Sequence, residues 1–241
     1  MTENLSVDRV FSDIEENYKE ITARIAEAAI KSGRQPTDIR FMAVTKTVQP
    51  MFIDHALSLG IGLVGENKVQ ELLGKLEMFD RCGAEKHLIG HLQTNKVAKI
   101  LPHVSMIQSV DSYKLAAAID KAAEKLGRQA EILLEVNIGD EESKTGFPLD
   151  GFEEEVCKIA ALPHVKVRGL LTIPPFCEKT EDSRRFFCKA RKLSVDIRDK
   201  KIDNIDMHIL SMGMSSDYAE AILEGSTLVR IGTALFGSRR Y

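Results

Sequence analysis

No stretch of this chain stays apolar and uncharged for the roughly 20 residues that a membrane-spanning helix needs. A long basic run is missing too. Lys200-Lys201 is the one adjacent lysine pair, and the net charge is -3, so neither a membrane nor a nucleic acid is an expected partner. The four cysteines, Cys82, Cys157, Cys177 and Cys188, form no C-x-x-C pair and no zinc pattern. Reduced thiols in a cytoplasmic protein are the expectation. The six histidines lack metal-ligand spacing, and no metal is expected. With Glu3, Asp8, Asp13, Glu15 and Glu16, the first residues are too acidic for a signal or transit peptide. There is no linker, no low-complexity tract and no short-period repeat. What is present is 241 residues with an apolar share of 44%, enough for a sizeable core in one large α/β domain or two small ones; a single domain, 1-241, is expected.

One stretch orders the rest. Phe41-Met42-Ala43-Val44-Thr45-Lys46 is a short apolar run that ends in lysine. It suits a buried parallel strand, which is covered on both faces. Pro50 prevents a long continuation. A lysine at the C-terminal end of a barrel strand faces the usual reaction site of that fold and can form a Schiff base once burial lowers its pKa. The plainer reading of Lys46 is a strand-end lysine that snorkels to water.

The pattern predicts a helix from about Val7 to Ser32, with Val10, Ile14, Ile21, Ile25 and Ala28 or Ala29 on one face, ended by Gly33. Further strands are expected at Ile61-Val64, His87-Ile89, Met106-Val110, Glu131-Val136, Val165-Ile173, Met207-Leu210 and Thr227-Ile231. Helices are expected at Met51-Leu59, Val69-Met78, from Asp111-Ser112 to Leu126, at Leu149-Leu162 and at Glu181-Arg198. Alternation of strand and helix implies a parallel sheet. Eight units in roughly 250 residues is the size of a (β/α)8 TIM barrel with an extra N-terminal helix. A doubly wound open sheet is the alternative.

Two loops could bind phosphate. After the seventh strand comes Ser211-Met212-Gly213-Met214-Ser215-Ser216-Asp217, where N-H groups and the Ser211 hydroxyl could meet phosphate oxygens. Asp217 and Glu220 have capping-box spacing, and a capped turn explains the serines equally well. After the eighth strand comes Arg230-Ile231-Gly232-Thr233, where Gly232 permits close approach and Thr233 adds a hydroxyl. Barrels often hold phosphate between these two loops. Arg230 interrupts an apolar strand and needs a partner, either a core carboxylate or a ligand. Gly60-Ile61-Gly62-Leu63-Val64-Gly65 matches G-x-G-x-x-G, but its glycines precede and span a strand, so it is no dinucleotide site. His91 lies in a loop that could face the barrel mouth; a loop histidine bonded to backbone is simpler. Asp140-Glu141-Glu142-Ser143-Lys144 reads as solvated charge.

Ala43-Val44-Thr45-Lys46, Gly65-Glu66-Asn67, His87-Leu88-Ile89-Gly90, Leu92-Gln93-Thr94-Asn95-Lys96, Gly169-Leu170-Leu171-Thr172-Ile173, Leu210-Ser211-Met212-Gly213-Met214-Ser215 and Val229-Arg230-Ile231-Gly232-Thr233, in that order, resemble the pyridoxal phosphate homeostasis proteins. That family is similar to the N-terminal barrel of alanine racemase and of fold-type III decarboxylases. The resemblance implies a barrel that holds pyridoxal 5'-phosphate (PLP). Lys46 would be the Schiff-base lysine and Arg230 the partner of the pyridine nitrogen. Ser211, Gly232 and Thr233 would hold the phosphate, with Asn67 and Met212 nearby. Some members carry proline where this chain has His91, which is given no role.

The resemblance further implies a part in vitamin B6 and amino-acid homeostasis; a monomer with PLP-dependent apoenzymes as partners is expected. Little or no catalysis is expected; an amino-acid racemase or decarboxylase is the alternative. Racemisation needs an acid-base group on each face of the bound amino acid. In alanine racemase the second is a tyrosine from an added C-terminal domain, whereas this sequence reaches Tyr241 soon after the eighth strand. None of Tyr18, Tyr113, Tyr218 and Tyr241 is an evident second base.

Overall fold

The structure, a computed structural model, describes residues 2-141, 144-175, 177 and 180-237. Its strands are β1 (Arg40–Val44), β2 (Leu63–Glu66), β3 (Glu85–Leu88), β4 (Met106–Val110), β5 (Ala130–Val136), β6 (Val165–Thr172), β7 (Ile205–Ser211) and β8 (Leu228–Ile231). All neighbours are parallel, in the order of the sequence. β1 pairs with both β2 and β8, with Ala43 opposite Val64 and Met42 opposite Arg230, and this closes the sheet into a (β/α)8 barrel.

The helices are α1 (Thr2–Lys31), α2 (Pro50–Ser58), α3 (Val69–Gly74), α4 (Leu76–Arg81), α5 (Val97–Ile100), α6 (Tyr113–Lys125), α7 (Phe152–Ala160), α8 (Arg184–Asp199), α9 (Tyr218–Leu223) and α10 (Thr233–Phe236). α1 precedes the barrel and packs on α9 and α10. Its buried stripe is Ile14, Ile21, Ile25, Ala28 and Ala29, the expected face. Each isoleucine stabilises by about 1.5–3 kcal/mol relative to exposure. Arg34, just beyond α1, donates to the Ser226 carbonyl at 2.7 Å and to the Ile222 carbonyl, which ties the end of this helix to the connection between α9 and β8.

Most of the apolar core lies between strands and outer helices. The barrel interior holds two small clusters, Met42-Leu63-Leu228 and Met106-Leu133-Leu171. Gly65 belongs to this packing. A Cβ there would sit 2.4 Å from the Met42 sulfur, so the interior admits no side chain at that position.

Several boundaries differ from expectation. β2 begins at Leu63 and runs through Gly65-Glu66, because Gly65 is drawn into the barrel interior. The expected helix Val69-Met78 is two pieces, α3 and α4, broken at Lys75 (φ -110°, ψ 1°). α7 starts at Phe152, since Gly151 before it is left-handed (φ 71°). The helix expected from Glu181 is a 3-10 turn, Thr180–Ser183, followed by α8. Ser112 does cap α6, accepting from the Leu115 N-H at 3.3 Å. Asp217 precedes α9 without capping it; its carboxylate turns back to accept from the Met214 N-H at 2.7 Å. Its capping-box spacing with Glu220 therefore goes unused.

Candidate functional site

A cavity of about 900 Å³ opens at the C-terminal end of the barrel. Lys46, Asn67, Ser215, Arg230, Gly232 and Thr233 all line it. Its outer wall is α1, through Val10, Asp13, Ile14, Glu16 and Asn17, and Asn17 donates to the Leu235 carbonyl at 3.0 Å.

Lys46 is half-buried and sits between two threonines whose backbones are fixed. On one side, buried Thr45 donates its N-H to the Gly65 carbonyl at 3.1 Å and its hydroxyl to Glu66 at 2.7 Å. Its carbonyl accepts from Lys75 at 2.8 Å. On the other side, Thr47 is left-handed (φ 62°) and its N-H donates to Glu71 at 2.9 Å. A left-handed threonine costs about 1–3 kcal/mol, so the surrounding bonds hold the chain in this bend beside the cavity.

Arg230 is 4% exposed, and burial pushes its pKa down to about 10. Glu135 and Asp217 partly offset that cost from a distance. Among the described residues no carboxylate lies within ion-pair reach of it. Its bonds go to neutral oxygens, the Ser211 hydroxyl at 2.7 Å and the Thr172 carbonyl at 3.0 Å. A buried cation whose hydrogen bonds go only to neutral oxygens, on the wall of a cavity, can meet an acceptor in that cavity.

The third feature is the pair of loops after β7 and β8. The Ser215 oxygen accepts from the N-H groups of Gly232 at 3.2 Å and Ala234 at 3.1 Å, and Thr233 lies between them. Gly213 (φ 90°) makes the β7 turn; a Cβ there would lie 2.5 Å from that of Ala221. Hydroxyls and N-H groups thus converge near the mouth, about where an anion's oxygens could exchange with Ser215.

Five of the residues singled out from the sequence therefore share one cavity: Lys46, Asn67, Arg230, Gly232 and Thr233. Ser211 and Met212 are fully buried and outside its lining. Ser211 instead touches Arg230, and the hydroxyl at the loop surface is that of Ser215. The signal for Ser215 was present in the same serine-rich turn, but spacing does not show which serine faces out. Asn67 is set by its neighbour Gly90, where a Cβ would come within 2.4 Å of the Asn67 carbonyl oxygen.

His91 is exposed and bonds Asp111 at 3.0 Å, a carboxylate rather than backbone, and does not line the cavity. In the loop expected to be solvated, Lys144 donates to the Pro174 carbonyl at 3.1 Å and pairs with Glu141 at 2.6 Å, so it braces β6's exit; Glu142 and Ser143 lie outside the described residues. Tyr18 and Tyr218 pack against Phe41 and Arg24, Tyr113 is exposed on α6, and none of the three lines the cavity; Tyr241 lies outside the described residues.

The family model for the alanine racemase N-terminal domain matches residues 13-240. A pyridoxal phosphate homeostasis protein of Aquifex aeolicus is 41% identical over 226 residues, covering 94% of this chain and 98% of that one. The chain belongs to the pyridoxal phosphate homeostasis protein family. Two solved structures are similar to this member of the family. One, of an unknown protein from Bifidobacterium adolescentis, has a TM-score of 0.90 at 36% identity, covering 95% of this chain and 96% of that one. The other is PipY of Synechococcus elongatus PCC7942 with PLP bound, with a TM-score of 0.77 at 33% identity, covering 88% of this chain and all of PipY. Among the described residues of this family member, no helix is long and apolar enough to cross a membrane.

Proposed function

We propose that the chain binds PLP in the barrel-mouth cavity as a Schiff base on Lys46 and serves PLP and amino-acid homeostasis inside the cell. One observation carries the reading. Arg230, buried and without a carboxylate partner among the described residues, shares a cavity with Lys46 and with the Ser215-Gly232-Ala234 turn. These are the three chemistries PLP asks for: an amine for its aldehyde, a cationic donor for its ring nitrogen, and hydroxyl and N-H donors for its phosphate. The cavity volume also falls in the range of about 300–1,000 Å³ usual for such ligands.

Bound PLP supplies an electron sink for bonds to the carbon of an attached amino acid. The chain's own residues do the rest. Arg230 donates and cannot readily give up its proton, which keeps the ring nitrogen unprotonated and weakens that sink. Thr45 and Thr47 hold Lys46 at the aldehyde end, while Ser215, Gly232 and Thr233 engage the phosphate. Ser211 steadies Arg230 rather than touching phosphate. This favours a holder of PLP over a fast catalyst. We place the protein in the cytoplasm as a monomer that passes PLP to dependent apoenzymes; its thiols are free among the described residues.

The test is to compare Lys46→Ala with the parent after loading with PLP. The variant should stay folded by circular dichroism and lose the visible band. Incubation of the loaded parent with L-alanine in deuterated water distinguishes a racemase: turnover of about 1 per second or more, the ordinary enzyme range, would favour the catalytic alternative.

A further inference from the structure

The cavity accounts for one face of Arg230. Its other face begins a chain of hydrogen bonds that crosses the inside of the barrel. Arg230 on β8 donates to the Ser211 oxygen on β7 at 2.7 Å. Ser211 donates to Gln108 Oε1 on β4 at 2.8 Å. Gln108 Nε2 meets His87 Nδ1 on β3 at 2.7 Å, and His87 Nε2 meets Glu85 Oε1 at 2.7 Å. Ser211, Gln108 and His87 are fully buried. Glu85 is the first residue of β3, at the end of the barrel away from the cavity, where Arg40 and Ser105 also bind it.

The direction of every link is fixed by its ends. A guanidinium can only donate, and an ionised carboxylate can only accept. Glu85 is held at a pKa of about 2, chiefly by the hydrogen bond from His87, so it is ionised at neutral pH. His87 Nε2 must then carry the proton. Burial holds the His87 pKa down, which leaves the ring neutral and Nδ1 an acceptor. Gln108 therefore turns its amide N-H to His87 and its oxygen to Ser211. The Ser211 hydroxyl is left to donate to Gln108 and accept from Arg230. Aligned in one direction, these bonds polarise one another and make Ser211 a better acceptor.

We propose that Gln108 and His87 are positioning residues for Arg230, fixing through Ser211 the guanidinium that faces the ring nitrogen of bound PLP. This rests on the PLP reading above. The interior positions that carry the chain could have been apolar, as their neighbours Met106 and Leu133 are, and a fully apolar interior avoids the desolvation of polar groups. The polar side chains commit the Ser211-facing edge of the guanidinium to the protein, and they leave Arg230 on the cavity wall in one orientation.

The experiment loads the parent, Gln108→Leu, Gln108→Glu, His87→Phe and Arg230→Lys with PLP. It reads the visible band from about pH 6 to about pH 9, the PLP dissociation constant and the borohydride-labelled lysine. In the parent the band position should not move with pH. Gln108→Leu and His87→Phe should still label Lys46, but bind PLP about ten-fold more weakly and gain a pH-dependent band as the ring nitrogen becomes free to protonate. Gln108→Glu keeps an acceptor for Ser211 and lets His87 take a second proton between two carboxylates, so it should restore the parent band. Should Gln108→Leu fail to fold, Ser211→Ala breaks the same chain and should give the same change.

Parent-like spectra and affinity in Gln108→Leu and His87→Phe, with Arg230→Lys altered, would overturn the positioning role alone. An altered Gln108→Leu that Gln108→Glu does not restore would also overturn it, as a packing effect. An unaltered Arg230→Lys would remove the role given to Arg230 and this inference with it. A parent with no band, or one labelled elsewhere, would remove the PLP reading itself.

Discussion

Lys75 Nζ lies 2.6 Å from Glu66 Oε1, with Glu66 wholly buried and Lys75 nearly so. The same ammonium holds the Thr45 carbonyl, and the same carboxylate oxygen accepts from the Thr45 hydroxyl. The pair thus ties β2 and the helical segment after it to the residue before Lys46.

Removing one partner strands the other. Lys75→Ala leaves the Glu66 charge buried without compensation, which should cost about 3–5 kcal/mol. Replacing both, by Glu66→Leu with Lys75→Met, should recover most of that stability, because a buried ion pair is often matched by apolar packing of similar volume. Urea denaturation of the parent, the single and the double variant checks this. A single variant as stable as the parent would show that the pair does not anchor the strand end.

Gly90→Ala should disturb the site without touching a ligand-facing side chain. The new Cβ would fall 2.4 Å from the Asn67 carbonyl oxygen and 2.8 Å from its Cα, so the β2 exit must shift. The expected cost is about 1–3 kcal/mol, as for other overpacked positions, together with weaker PLP binding. Thermal unfolding and a PLP titration measure the two effects.

Ser215→Ala and Ser211→Ala should separate the two ends of the ligand. Ser215 sits on the N-H groups of Gly232 and Ala234, so its loss should weaken PLP by about ten-fold or more and leave the band position alone. Ser211 bonds Arg230, so its loss should change the band. Equal spectra for the two variants would contradict this division.

His87 gives the protein an acid-sensitive core. Burial lowers its pKa in the fold, so below the unfolded value of 6.5 the unfolded chain binds more protons than the native one. Stability should then fall as pH drops through about 6.5 and on toward the lower folded value, by up to about 1.4 kcal/mol per pH unit. Glu85, whose pKa is lowered to about 2, adds stability above its unfolded value of 4.5 that is lost as pH falls through about 2. His87→Gln should flatten the decline that starts near pH 6.5. An unchanged profile in that variant would assign the decline to other groups.

The barrel was legible because most strands are short runs rich in Val, Ile, Leu or Met punctuated by Gly, Pro or a cap, and the runs alternate with amphipathic helices. Lys46, Gly232 and Thr233 were legible as residues at or just past strand ends, where this fold keeps its chemistry, Arg230 as a charge inside an apolar strand, and Asn67 through the family resemblance. The chain inside the barrel was not. His87 and Gln108 lie in parallel strands buried on both faces, so alternation does not say which side chains point inward. The helix break at Lys75 was also hidden, because it accompanies a tertiary bond to Glu66. Asp217 and Glu220 had the spacing of a cap, but the left-handed Gly213 turn gave the carboxylate a nearer donor in Met214.

The central claim is that Lys46 carries PLP, and chemical trapping tests it most directly. The purified protein is loaded with PLP, its absorbance spectrum recorded, borohydride added, and the labelled peptide mapped. The account predicts a visible band that borohydride abolishes and a label on Lys46 alone. A label on any other lysine of the native protein, or a bound PLP that borohydride fails to fix, would contradict it.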